Sequence, residues 1–182
     1  MTKRFFVVAL SAGLLAACGK ASDKVAEKVA EKAIESSLAK DGSQAKVDLS
    51  TGAMKVTTTD AAGKTSQLEL GGAKVSETDL GIAFYPGTQP REGGANKVST
   101  PDGTTYTVML HSDDAPEKVA GFYRDKLKAQ AEGRQYNESS SDGSHMFMLA
   151  DDKARQLTQV MIGKGDPKGS DIQIVANRGT PK

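Results

Sequence analysis

Hydrophobic positions recur along this chain with two periods. Between positions 22 and 40, Val25, Val29, Ala33, Ile34 and Leu38 return at helical spacing. They predict an amphipathic helix with Ser22 as N-cap and Asp41-Gly42 as its stop. Lys24, Lys28 and Lys32 form one charged row, and Glu27, Glu31 and Glu35 another. Pairs three apart (24–27, 28–31, 32–35) then support the helix. The repeat is shorter than the three or four heptads of a coiled coil, which predicts a short stalk packed on its own domain. From residue 46 the period drops to two. Lys46–Leu49, Met54–Thr59 and Thr65–Leu70 read as strands, with turns at Ser50-Thr51-Gly52 and Asp60-Ala61-Ala62-Gly63. Gly71-Gly72 and the polar stretch to Asp79 read as a linker.

From Leu80 a larger unit begins. Ile82–Tyr85 is apolar and stops at Pro86-Gly87. Lys97–Thr100 and Thr104–His111 flank Pro101-Asp102-Gly103, a hairpin signal, and Tyr106, Val108 and Leu110 share the predicted core face. Asp114-Ala115-Pro116-Glu117 opens a helix, with Asp114 as cap and Glu117 at N3. Val119, Phe122, Tyr123 and Leu127 form its buried stripe, and Gly133 closes it. Arg134–Glu138, His145–Ala150, Gln156–Ile162 and Asp171–Ala176 follow as strands, joined by turns at Ser141-Asp142-Gly143, Asp151-Asp152 and Gly165-Asp166-Pro167. The expected class is α+β: an antiparallel β-meander sheet with one covering helix, preceded by the N-terminal amphipathic helix and a small β-hairpin or meander.

The first residues follow neither period. Lys3 and Arg4 precede an apolar run, Phe5 to Leu15, broken by Ser11 and Gly13; Ala16 and Ala17 then precede Cys18, the chain's single cysteine. This is the layout of a cleaved secretory signal. Its apolar run is shorter than the ~20 residues a bilayer-spanning helix needs. The layout resembles a bacterial lipoprotein signal with its lipobox. That resemblance implies cleavage between Ala17 and Cys18, a diacylglycerol on the Cys18 thiol through a thioether, and acylation of the new N-terminus. In such lipoproteins an aspartate after the cysteine signals inner-membrane retention; Gly19 stands there instead, which implies the outer membrane, periplasmic face. The expected organisation is a signal peptide over 1–17, a lipidated tether and amphipathic helix over 18–41, a small β segment and linker over 42–78, and an α+β domain over 79–182. Few residues separate the helix from Cys18, so it is expected close to the membrane surface. Residues 1–17 are expected as a helix detached from the domain.

Composition narrows the partners. The 182-residue chain carries 24 basic and 23 acidic residues; removing 1–17 takes Lys3 and Arg4 and no acid, leaving 22 against 23. A near-neutral chain without a basic block disfavours nucleic acid and a polybasic membrane patch. With Cys18 acylated no thiol is left, so stability comes from burial and backbone pairing in an oxidising compartment. Trp is absent and the aromatics after the signal are few, which disfavours a carbohydrate cleft.

Two further stretches resemble an uncharacterised family of bacterial exported lipoproteins. One is Lys46 to Gly72 after an amphipathic helix. The other joins Tyr85-Pro86-Gly87 to Asp114-Ala115-Pro116-Glu117-Lys118-Val119-Ala120-Gly121-Phe122-Tyr123. The resemblance covers most of the chain after the signal. Its motifs are a turn, a cap and a core stripe, so it implies a fold and no activity.

Site chemistry is sparse. His111-Ser112-Asp113-Asp114 places imidazole, hydroxyl and acid side by side, yet consecutive residues at a strand end do not converge as nucleophile, base and orienter. His145 has no partner at metal-ligand spacing and reads as solvated or hydrogen-bonded. Asp151-Asp152 and Asp166 read as turn acids without a calcium-loop pattern. Gly71-Gly72 and Gly93-Gly94 lack a phosphate-cradle frame. Met146, Met148 and Met161 carry thioethers that suit copper, though packing explains them more simply. No catalytic, metal or cofactor residue is therefore expected. The expected function is a non-enzymatic interaction or structural module, tied to the membrane by acyl chains on Cys18 and meeting an envelope protein. The alternative is an envelope inhibitor or immunity protein acting against a cell-wall hydrolase.

Overall fold

The computed structural model describes residues 21–39, 43–50 and 53–180. Ala17, Cys18 and the expected signal helix lie outside the described residues, as do Asp41, Gly42, Thr51 and Gly52.

The protein is α+β, built on one antiparallel nine-stranded sheet. Helix α1 (Ala21–Leu38) precedes β1 (Gln44–Asp48), β2 (Met54–Thr59) and β3 (Thr65–Leu70). A one-turn helix α2 (Glu77–Leu80) leads to β4 (Ala95–Thr100) and β5 (Gly103–Ser112). Helix α3 (Pro116–Lys128) then crosses the sheet, and β6 (Gln135–Ser141), β7 (Ser144–Asp151), β8 (Gln156–Lys164) and β9 (Ser170–Gly179) return as a meander. The spatial order is β1-β2-β3-β4-β5-β9-β8-β7-β6. The crossover through α3 lays that helix on one face, and β9 closes the circuit against β5 over ten paired residues, Gly103↔Gly179 to Ser112↔Ser170. The small β segment is continuous with the larger unit, because β3 pairs with β4 through Gln67↔Ser99 to Glu69↔Lys97.

Register decides which side chains meet, since directly paired residues share a face. Val108, Ile174, Val160 and Phe147 form one cross-strand row under α3, and all four are fully buried. Tyr106, Val108 and Leu110 lie on this side, as the alternation predicts. Helix α3 adds Val119, Ala120, Tyr123 and Leu127, and α2 with the following loop adds Leu80, Ile82 and Tyr85. Ile82–Tyr85 needs no strand; the loop buries Ile82 and Tyr85 and turns at Pro86-Gly87. That turn has Thr88 N–H on the Tyr85 carbonyl at 3.0 Å and Gly87 at φ 80°, the conformation for which glycine is suited at this turn position.

The Tyr123 hydroxyl is buried in this core and faces the Tyr85 backbone without closing a hydrogen bond, and burial pushes its pKa far up. An unpaired buried hydroxyl costs roughly 1–3 kcal/mol. Tyr123→Phe is therefore expected to leave stability unchanged or raise it by about 1 kcal/mol. Urea unfolding checks this; a clear loss of stability would mean that the hydroxyl is bonded.

Four local expectations are corrected. Helix α1 already includes Ala21, so Ser22 is inside it. The linker contains α2, where Ser76 Oγ accepts the Asp79 N–H and the Asp79 carboxylate takes the Ser76 N–H at 2.8 Å. This is a capping box with aspartate at N3, so one helical turn forms within an otherwise polar stretch. The N-cap of α3 is Ala115 rather than Asp114, with no side-chain cap. Pro116 at N1 holds Ala115 extended (ψ 149°), and the helix starts one residue later. Finally α3 ends at Lys128 with Ala129 as C-cap, so Gly133 serves the next turn, at φ 72°.

The largest departure is in α1. Its expected apolar stripe faces the domain only in its second half: Ile34 and Leu38 line an apolar cavity with Met54, Val56 and Leu68, whereas Val25 and Val29 are 64% and 65% exposed and Glu31 is 8% exposed. Glu35 Oε1 accepts the Val47 N–H at 2.9 Å, and Glu31 Oε1 accepts the Leu49 N–H at 3.0 Å. Four residues of helix advance about 6 Å. Two residues of strand advance about 6.7 Å. The glutamate row therefore matches alternate amides of β1 and covers that sheet edge. Uncovered edges template unwanted pairing. Of the predicted lysine–glutamate pairs, Lys28–Glu31 closes at 3.4 Å.

Candidate functional site: the open face of the sheet

The alternation that buries one side of β5–β9 under α3 puts a different set of side chains on the other side. Met109, Gln173, Met161, Met146 and Ser139 make one register row there, and Thr107, Val175, Gln159, Met148 and Asn137 make the next. Every residue of both rows is at least partly exposed. Met146 is 41% exposed, and its sulfur accepts from Gln159 Nε2 at 3.2 Å. The expected strand methionines are therefore surface groups, on the side away from the core. A groove of 530 Å³ runs along this face, floored by Met109, Met146, Met161 and Gln173 and edged by Ser141 and Asp171.

Polar groups fix one end of the groove. Asp171 Oδ1 accepts from His111 Nδ1 at 2.9 Å and from Arg91 Nη2 at 2.8 Å. The first contact follows from register, because His111 and Asp171 are directly paired. The second depends on a loop tied to the same strand: Arg91 N–H bonds the Met109 carbonyl at 2.9 Å, and Met109 N–H bonds the Gly94 carbonyl at 2.8 Å. Gly94 lets this loop approach, since a Cβ there would sit 3.1 Å from Met109 Cβ. Neither Arg91 nor Asp171 stands out in the sequence. Their signal is the strand partner of His111, which only the β5–β9 pairing supplies.

The groups of 111–114 diverge. Asp113 pairs with Lys168 at 3.1 Å, and Ser112 Oγ accepts the Asp114 N–H at 3.1 Å. Asp114 takes the Tyr85 hydroxyl at 2.6 Å and Lys118 Nζ at 2.9 Å. These two donors hold its carboxyl below the usual range, and the Asp114 carboxylate in return raises the Tyr85 phenol. The two resemblance motifs thus touch each other: Tyr85 meets Asp114, and Phe122 packs edge-on to Tyr85 at 5.3 Å. Their role is to fasten the α2–β4 loop to the start of α3.

Ser144 is the hydroxyl nearest in register to the His111–Asp171 pair on this face, beyond Gly163. Three strand spacings separate it from His111, about 14 Å. That is too far for nucleophile and base. His145 sits at the groove's end, and both ring nitrogens are buried without a hydrogen-bond partner. The expectation of a solvated or hydrogen-bonded imidazole is corrected: residue 145 falls on the α3 side of β7, opposite Ile162. Among the described residues no three His, Cys, Asp or Glu side chains are grouped to hold a metal ion, and no helix is long and apolar enough to cross a membrane.

What the open face offers is thioether, methyl and amide surface with an ion-paired rim. Methionine side chains are unbranched and polarizable and adapt to irregular partners. Comparison with models of protein families, with curated proteins and with solved structures returns no match for this chain.

Proposed function

We propose that this chain is a lipid-anchored envelope lipoprotein facing the periplasm, and that it works as a non-enzymatic binding module whose open sheet face takes a protein partner. The observation that carries the reading is the asymmetry of β5–β9. Under α3 the Val108–Ile174–Val160–Phe147 row is fully buried; opposite, Met109, Met146, Met148, Met161 and Val175 stay accessible among Gln, Thr and Ser. Patches of adaptable apolar side chains rimmed by polar groups mark protein interaction sites. The lipobox-like leader and Cys18 support the address, and the separation of Ser144 from His111 supports binding over hydrolysis.

The test is a photo-crosslinking residue at position 173 in the living envelope, against the same probe at position 57 on the polar side of β2. A discrete adduct is expected at 173 and none at 57. Met161→Glu is expected to lower the adduct yield about tenfold, the ratio set by ~1.4 kcal/mol. No adduct at 173 above the level at 57 would sink the reading.

A further inference from the structure

Helix α1 buries its apolar side only in its second half, where Ile34 and Leu38 meet β2 and β3; the first half is inverted. Its acids point at the protein and its valines at solvent. Val25, Val29, Lys32 and Ser36 share one exposed face, at spacings of four, three and four, with Lys24 and Lys28 along one flank. Glu31 and Glu35 lie on that same flank, turned further toward the protein, where they take the Leu49 and Val47 amides, and Glu31 also takes Lys28 Nζ at 3.4 Å. Exposed apolar side chains at helical spacing ask for a cover.

Three features say which cover. The first is distance. Cys18 precedes Ala21 by three residues, at most about 11 Å of chain. Val25 follows Ala21 by about 6 Å of helix. A lipid on Cys18 therefore keeps the bilayer within reach of this face. The second is charge. The charged group on the valine face is Lys32, with Lys24 at its edge, and lysines suit anionic phospholipid headgroups, while Glu31 and Glu35 are bonded to the protein and Lys28 to Glu31. The third is area. Two valines and their neighbours fall far short of the ~1,200 Å² that a stable pair of copies buries. A surface held close by an anchor needs far less intrinsic affinity, because tethering makes the contact intramolecular.

We infer that α1 lies flat on the membrane, with Val25 and Val29 at the headgroup–acyl boundary and Lys24 and Lys32 among the lipid phosphates. The inference rests on the proposed anchor and adds an orientation to it. The Glu31 and Glu35 bonds fasten α1 to β1, so the sheet stands on the bilayer by its β1 edge instead of swinging on a stalk. The open face then projects at a fixed angle.

The test uses the whole chain from Cys18 onward, so that its outcome is independent of whether the cell acylates the protein. The single cysteine is coupled to a maleimide-headgroup lipid in vesicles of phosphatidylethanolamine and phosphatidylglycerol carrying brominated acyl chains. The chain has no tryptophan, so Val29→Trp supplies a sole reporter. Coupling is expected to blue-shift and quench the indole introduced at position 29. Each Lys→Glu change at 24 or 32 is expected to lower the docked-to-undocked ratio at least roughly fivefold, the ratio for ~1 kcal/mol per lysine. An unchanged urea midpoint confirms that the reporter chain is folded; Val25→Trp replaces it otherwise. Emission unaltered by coupling would overturn the inference, as would quenching that survives reversal of both lysines. A blue shift that grows with protein concentration without vesicles would assign the face to a second copy and overturn it too. Intact-mass analysis of the native product tests the anchor separately.

Discussion

Cys18→Ser is expected to abolish the mature-size protein in salt-washed membranes. The chain has no other cysteine, so serine removes the sole thiol that can form a thioether. Each buried methylene contributes about 0.8 kcal/mol, and stable anchoring takes two signals where one chain alone is marginal. On the proposed anchor, two or more acyl chains on residue 18 hold the protein; without them only the proposed α1 contact remains, and salt strips its lysine contribution. On the same proposal the leader goes uncut when the thioether is missing. The variant therefore runs either as a precursor still carrying residues 1–17 or as soluble protein. Fractionation with intact-mass analysis separates these outcomes. Mature-mass protein that stays with the salt-washed membrane would remove the anchor, and the proposed address with it.

Much of the fold is legible in the chain because most strands carry their own period. Strands β2 and β3 coincide with their expected bounds, and Tyr106, Val108 and Leu110 take the core side of β5. What the local pattern lacks is information held by partners. The apolar stripe of α1 predicts an inward face; Ile34 and Leu38 keep to it, while beside Val25 and Val29 the amides of the β1 edge compete for that side. A carboxylate can accept an edge N–H where a valine cannot, and the glutamates win. Asp114 reads as a cap because aspartate before a proline-led helix satisfies local rules; the Tyr85 hydroxyl, 29 residues away in sequence, claims it instead. The candidate site is half visible. Strand methionines can be read from the chain, but the row joining Met109 to Met161 and Met146 depends on β9 inserting between β5 and β8. No local period encodes that insertion.

Phe147→Ala is expected to cost about 3–5 kcal/mol, whereas Met146→Ala, one residue away, costs under about 1 kcal/mol. The contrast follows from the two-residue period, which sends neighbours to opposite faces. Phe147 is fully buried in the Val108–Ile174–Val160 row, and the Arg124 guanidinium lies over its ring at 5.6 Å. Arg124 is held there by Glu138 at 2.7 Å, the cross-strand partner of Phe147, and this pairing lowers the Glu138 carboxyl. Truncation opens a cavity under α3 that close-packed neighbours fill only in part, and it removes the surface on which Arg124 rests. Domains of this kind have about 5–15 kcal/mol of stability in all. Phe147→Ala therefore removes a large share and shifts the urea midpoint strongly. Met146 leaves only part of a groove floor behind. Its alanine variant should keep the midpoint and weaken the adduct at position 173. Equal losses of stability for the two variants would mean that β7 presents the wrong side to α3, and the open face would then not be open.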